Sequence, residues 1–360
     1  MAKKIVTIVG ARPQFIKAAA VSRELIKAGI EEKIIHTGQH FDDNMSKVFF
    51  DEMEIPKPHY NLDIHSLSHG AMTGRMIEEI EKILLIEKPD YLIVYGDTNS
   101  TLAGALAAQK LQIPIAHVEA GLRSFNMKMP EETNRILTDR ISNLLFCPTD
   151  NAIENLKNEG FDNFTCKVIR TGDVMQDAAI FYDKMSYEKS LIINQLNLSH
   201  SNFVLCTLHR QENTDDINRL QNIIEALNIL SEKYTIVLPL HPRTRNIIAK
   251  NNIKLKFKPI DPVGYFDMIQ LIKNSKFIIT DSGGLQKEAF FFKKFCITTR
   301  DETEWVELVK NGFNVVVGAN KDKILHEANQ LINKTADFDV DLYGNGKASK
   351  RIVSVLQESY

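Results

Sequence analysis

Residues 91–101 read Tyr-Leu-Ile-Val-Tyr-Gly-Asp-Thr-Asn-Ser-Thr. Five apolar and aromatic residues without a polar interruption suit a strand covered on both faces, and Thr-Asn-Ser after Gly96-Asp97 suits the start of a helix. Outward from this unit, similar short runs recur at Ile5–Val9, Lys33–His36, Ile113–Val118 and Leu144–Cys147, separated by segments of helical period. Strands alternating with helices predict a parallel sheet wrapped on both sides. The pattern begins again at Phe203–Thr207, Thr235–Leu238, Leu255–Pro259, Phe277–Thr280, Phe295–Thr298 and Asn314–Val317. The fold expected is therefore α/β, with two doubly wound Rossmann-like domains. We assign residues 1–172 to the first, 173–340 to the second, and 341–360 to a C-terminal helix that crosses back to the first. A polar stretch at Lys184–His200 is a competing place for the boundary.

At 360 residues the chain exceeds what one hydrophobic core usually serves. Hydrophobic residues at 44%, charged residues at 25% and a net charge of −2 are those of an ordinary globular protein, with no bias toward nucleic acid or an anionic membrane. The N-terminal apolar run is too short for a secretory signal and no long apolar span follows, so a cytoplasmic location is expected. Cys147, Cys166, Cys206 and Cys296 are far apart and mostly lie within apolar runs, as buried thiols do.

Ligands of open parallel sheets bind beyond the carboxyl ends of strands. After the first run comes Gly10-Ala11-Arg12-Pro13-Gln14-Phe15-Ile16-Lys17, where Pro13 suits a first helical turn and Arg12 and Lys17 bring cations to it. The segment reads as an anion site or, more plainly, as surface cations on a helix. It lacks the further glycines of a dinucleotide fingerprint, which argues against a nicotinamide cofactor. Asp97 follows the next strand, either as a helix cap or as a functional acid. Glu119, between Val118 and Ala120 at another strand end, has no such capping role. Glu131 and Glu132 open the helix that follows Pro130, where its dipole alone would favour them. Asp97, Glu119 and Glu131 are expected to converge at the mouth of one sheet, as acids that divide base and acid roles do.

The second half supplies Leu208-His209-Arg210 after its first strand and His241-Pro242-Arg243 after its second, both suited to a phosphate. In Thr280-Asp281-Ser282-Gly283-Gly284 the amides of Ser282, Gly283 and Gly284 are expected to cradle phosphate oxygens, with Glu288 one turn on for ribose hydroxyls; a plain Gly-Gly helix entry is the alternative.

Taken as a set, Gly10-Ala11-Arg12-Pro13, Gly96-Asp97-Thr98, His117-Val118-Glu119-Ala120-Gly121-Leu122-Arg123, Pro130-Glu131-Glu132-Thr133-Asn134-Arg135, Leu208-His209-Arg210, Asp281-Ser282-Gly283-Gly284 and Thr303-Glu304-Trp305-Val306-Glu307 resemble the non-hydrolysing UDP-N-acetylglucosamine 2-epimerase family, over nearly the whole chain. The resemblance implies a GT-B-type fold with a cleft between its domains. It also implies inversion at C2 of a UDP-N-acetylhexosamine by elimination and re-addition of UDP, in the synthesis of surface polysaccharide precursors. Asp97, Glu119, Glu131 and His209 are then the catalytic candidates. Arg12, Lys17, Arg135, Arg210, His241, Ser282, Gly283, Gly284 and Glu288 would bind the UDP-sugar. No metal, no redox cofactor, no nucleic acid and no membrane are called for, and a homodimer is expected. The alternative on the same fold is a glycosyltransferase.

Departures bear on the sugar. Many members of the family carry Thr at Ala11, Glu at Gln14 and Arg-Pro at Trp305-Val306; the residues here resemble a branch acting on UDP-2,3-diacetamido-2,3-dideoxyglucuronate, as do Lys287–Phe292 and Leu342-Tyr343-Gly344. Residues around Gln14 and Trp305 are expected to define the substrate. Gln39-His40-Phe41-Asp42 lacks the second Gln of the segment that serves allosteric regulation in bacterial members.

Overall fold

The computed structural model describes residues 3–39, 57–199, 201–331 and 334–358. The chain divides into two compact units, residues 1–178 with 341–360, and residues 179–340. The first holds seven strands: β1 Lys4–Val9, β2 Glu31–His36, β3 Tyr60–Asn61, β4 Tyr91–Tyr95, β5 Ile115–Val118, β6 Leu144–Cys147 and β7 Lys167–Arg170, in the order β3-β2-β1-β4-β5-β6-β7 and parallel throughout. The order reverses between β1 and β4, where the loops after the two strands open away from each other and leave a crevice at their carboxyl ends. Its core draws on Val6, Ile8, Ile35, Leu92, Val94 and Ile115 from the strands and on Met76, Ile80 and Ala105 from covering helices.

The second unit contains β8 Phe203–Thr207, β9 Thr235–Val237, β10 Ile278–Thr280, β11 Cys296–Thr298 and β12 Asn314–Val316, parallel and ordered β12-β11-β10-β8-β9. Here the reversal lies between β8 and β10. The strand expected over Leu255–Pro259 is not formed; a single bridge joins Pro239 to Ile260. Pro239 and Pro259 each lack the N–H that a continuing ladder needs, so pairing stops at one residue. β7 and the two-residue β3 are strands without a matching apolar run: β7 is a half-exposed edge of sequence Lys-Val-Ile-Arg.

The C-terminal helix Ala348–Glu358 packs on the helix Arg12–Lys27 of the first unit. Asp177 receives the amides of Ala348 at 3.1 Å and Ser349 at 2.7 Å, a capping arrangement worth about 1 kcal/mol. Among the described residues no helix is long and apolar enough to cross a membrane.

Candidate active site

At the crevice of the first unit, Gly10 and Ala11 alone separate β1 from the helix Arg12–Lys27. Its cap position is Ala11, which has no side-chain acceptor, and Gln14 takes over: its Oε1 accepts from Gly10 N at 2.8 Å and Ala11 N at 3.0 Å. The same side chain donates through Nε2 to the Tyr95 carbonyl at 2.8 Å and to Thr101 Oγ1 at 2.9 Å. Gln14 is 1% exposed, with its hydrogen bonds directed into the protein. It therefore ties the turn after β1 to the turn after β4. The Arg12 side chain lies outside the described residues, as do His40, Phe41 and Asp42.

The helix after β4 is capped by Thr98, whose hydroxyl accepts from Thr101 N. The capping alternative for Asp97 is thereby overturned: its carboxylate pairs with Arg135 at 2.6 Å instead. Arg135 also holds Glu132 at 2.7 Å and is 6% exposed. Glu132, 1% exposed, accepts in addition from Ser124 N, Ser124 Oγ and Phe125 N. Burial pushes its pKa up, but these donors more than offset that and hold it below the usual carboxylate range. Glu132 thus ties down the loop before its helix, whereas the half-buried Glu131 beside it has no ion pair or hydrogen bond to its carboxylate among the described residues.

Glu119 directly follows β5 with a φ of 73°, a left-handed conformation that non-glycine residues seldom adopt. The turn places its carboxylate, nearly buried, in an ion pair with the equally buried Lys17. Gly96, at φ 62°, makes room for that pair: a Cβ there would stand 3.1 Å from Lys17 Nζ and 3.4 Å from Glu119 Oε2. The acids at the ends of β4 and β5 are therefore neighbours, one held by a guanidinium and the other by an ammonium. A pocket of about 530 Å³ is lined by His69, Gly70, Gly74, Asn99, Pro130 and Asn134, the last of which donates to the Asp97 carbonyl at 2.9 Å; neither acid lines it.

In the second unit one buried carboxylate organises the crevice. Asp281, fully buried, accepts from the amides of His209 and Arg210 at 3.0 Å and from Asn213 Nδ2 at 3.3 Å, bridging the loops after β8 and β10. His209 Nδ1 lies 3.2 Å from it. Desolvation draws the His209 pKa below its ordinary value; Asp281 opposes this, and Arg210 and His241 add to it. Half of the ring surface stays open.

The expected cradle of three amides is reduced to two. Thr280 Oγ1 takes the Ser282 amide at 2.9 Å, and Ser282 Oγ caps the helix Gly283–Phe291, so the amides of Gly283 and Gly284 remain at its first turn. A Cβ at Gly283 would meet Glu304 Oε1 at 2.6 Å and stand 3.7 Å from Arg210 and Arg300 nitrogens. Arg300, 2% exposed and paired with Glu304 at 2.9 Å, thus belongs to the same mouth. Glu288 lies on the same helix and is 8% exposed. His241 follows β9, the neighbour of β8, close enough to act on His209, and is an exposed cap whose Nδ1 accepts from Arg243 N at 3.3 Å. Trp305 is buried against Lys287, whose ammonium stands 3.9 Å from the ring centroid. Like Gln14 it is packed away from solvent.

Two parallel doubly wound units, with acids at the mouth of one and a His/Arg and Gly-Gly turn at the mouth of the other, define a nucleotide-sugar enzyme of GT-B type. Residues 23–357 match the family described as UDP-N-acetylglucosamine 2-epimerase. The UDP-2,3-diacetamido-2,3-dideoxy-D-glucuronate 2-epimerase of Pseudomonas aeruginosa is 57% identical over 355 residues, 98% of this chain and 99% of that protein. The crystal structure of Methanocaldococcus jannaschii UDP-GlcNAc 2-epimerase in complex with UDP-GlcNAc and UDP superposes with a TM-score of 0.89 at 44% identity, covering 98% and 99% of the two chains. The Neisseria meningitidis UDP-GlcNAc 2-epimerase bound to UDP-GlcNAc gives 0.86 at 32% identity, covering 99% and 100%. The chain belongs to the UDP-N-acetylglucosamine 2-epimerase family and is a UDP-sugar 2-epimerase.

Proposed function

We propose that the chain inverts C2 of UDP-2,3-diacetamido-2,3-dideoxyglucuronate, giving the mannuronate, by elimination and re-addition of UDP. The observation that carries the choice of sugar is the 57% identity to the Pseudomonas aeruginosa enzyme over essentially both whole chains. UDP-N-acetylglucosamine is the second reading, favoured by the likeness to solved UDP-GlcNAc 2-epimerases at 44% identity.

In the first step a base takes the C2 proton while the C1–O bond breaks and UDP departs with its electron pair, leaving a 1,2-unsaturated sugar. In the second, UDP oxygen re-forms the C1 bond and an acid delivers a proton to the opposite face of C2. Two proton carriers in unlike surroundings are needed. The contrast supports Asp97 and Glu119 for these roles, one beside Arg135 and the other beside Lys17, with Glu131 as the carboxylate left unengaged. Arg135 is then a positioning residue for Asp97 rather than a direct ligand of UDP. In the second unit, Arg210, Gly283, Gly284 and Glu288 hold the nucleotide, Ser282 shapes their turn, and His209 serves the departing phosphate. Lys17 brings positive charge to the mouth of the first unit, Arg12 remains a binding candidate from its motif alone, and His241 shapes the loop after β9.

Incubation with each UDP-sugar in deuterated water tests this. The diacetamido uronate is expected to give its C2 epimer with one deuterium at C2, at a higher kcat/KM than UDP-N-acetylglucosamine. Epimer without deuterium would overturn the proton exchange, free sugar with UDP would overturn re-addition, and a preference for UDP-N-acetylglucosamine would overturn the choice of sugar.

A further inference from the structure

The segment His117-Val118-Glu119-Ala120-Gly121-Leu122-Arg123 contains one acid/base candidate, yet the side chains around it are organised as closely as Glu119 itself. His117 is fully buried on β5. Its Nε2 lies 2.7 Å from the carbonyl oxygen of Gly96, the residue before Asp97, and its Nδ1 lies 2.7 Å from Asp139 Oδ1. The other oxygen of Asp139 accepts from Gly121 N at 3.1 Å and from Arg123 at 2.7 Å. Arg123 in turn clamps Glu159 at 2.6 Å and 2.8 Å. Burial alone would raise the Asp139 pKa; His117 and Arg123 more than offset it and hold it below the usual range.

Three elements meet in this cluster. Gly96 is left-handed in the turn after β4 at φ 62°, Gly121 follows the left-handed Glu119 after β5 and is itself left-handed at φ 79°, and Asp139 comes from the helix that carries Glu131 and Arg135. Any buried histidine needs a partner for each ring nitrogen, so what matters is which groups supply them. This one spans from the backbone of one acid's turn to a carboxylate that holds the backbone of the other's.

We propose that His117, oriented by Asp139, is a positioning residue that sets Asp97 and Glu119 in register with each other. The inference rests on the assignment of those two acids to proton transfer. Lost register costs turnover rather than nucleotide binding, because the phosphate-holding groups named above lie in the other unit; misplacement on the scale of 1 Å can cost about 100-fold.

The test compares His117→Phe, Asp139→Asn, Asp139→Ala and, as a control, Asp97→Asn. In Asp139→Asn the amide oxygen can still accept from Gly121 and Arg123 while its NH2 donates to His117 Nδ1, leaving Nε2–H for Gly96, so the geometry survives without the charge. The expected result is kcat down about 100-fold in His117→Phe and Asp139→Ala, near-native kcat in Asp139→Asn, and an unchanged Kd for UDP in all of them. His117→Phe turning over normally while Asp97→Asn is inactive would overturn the positioning role alone; normal turnover in Asp97→Asn would overturn the acid/base assignment beneath it. Should His117→Phe fail to fold, the two Asp139 variants decide: equal loss in both would overturn the proposal, and rescue in Asn alone would support it.

Discussion

Replacing Gln14 with Leu removes four hydrogen bonds made by one buried side chain, and the structure says which of them matter. The Tyr95 carbonyl keeps a second donor, Thr101 Oγ1 at 2.7 Å, and Thr101 can turn to Thr98. The amides of Gly10 and Ala11 have no other acceptor among the described residues. Each orphaned buried donor costs about 1–3 kcal/mol, so the loss is about 2–6 kcal/mol, which for a unit of this size lowers its Tm by very roughly 4–24 °C. Gln14→Glu should lose less, since one carboxylate oxygen still accepts from both amides. Because Gln14 is 1% exposed, neither change should alter the ratio of kcat/KM between the two UDP-sugars. Differential scanning calorimetry with and without UDP gives the first quantity, and paired epimerisation assays give the second. A Tm drop below about 2 °C would refute the capping account, and a reversed sugar preference would show that Gln14 reads the substrate after all.

Asp281→Ala leaves the His209 and Arg210 amides without their acceptor, and UDP affinity by titration calorimetry should fall about 10-fold or more; an unchanged Kd would remove Asp281 from the nucleotide site. Asp139 and Glu132 both titrate below their unfolded values, so each contributes stability that is complete above the unfolded pKa near 4 and is lost as pH falls through the lower folded value. Melting curves between about pH 5 and pH 2 should therefore show a shallower acid slope for Asp139→Asn than for the native chain; identical slopes would contradict the shift.

The strands that the sequence reveals are those buried on both faces. β4 and β6 are uninterrupted apolar or aromatic runs, β5 is broken only by His117 and β8 only by its last residue, Thr207, because these strands lie inside a helix-covered sheet, and no alternation is needed to see them. β7 and β3 escape because an edge strand half open to solvent can carry Lys and Arg, and a two-residue strand has no period at all. The run at Leu255–Pro259 misleads in the opposite sense: its composition suits a strand, but proline removes donors, and composition does not count donors.

The site divides along a similar line. Residues that expose chemistry at a strand end, such as Asp97, Glu119 and His209, are visible as types out of place. Those that hold them there are not. Gln14 looks like an ordinary helix residue until its amide is seen to join two turns more than 80 positions apart. Asp139 lies in the last turn of its helix, where the dipole disfavours an acid, but only the fold shows it fully buried and receiving His117, Gly121 and Arg123. Asp281 and Glu304 lie within motifs read for their neighbours. A sequence presents side chains one at a time, whereas a buried polar group is explained only by its partners, since it stays buried only when its hydrogen bonds are met. The same logic applies to Gln14 and Trp305, which are read as family variants but lie inside the protein. Exchanging Glu for Gln at a position that must accept from two amides and donate to a carbonyl alters the turns on either side, and those turns carry Arg12 and Asp97. The cost of such an exchange should therefore appear in stability and in the placement of Asp97 for either UDP-sugar alike, rather than in the choice between them.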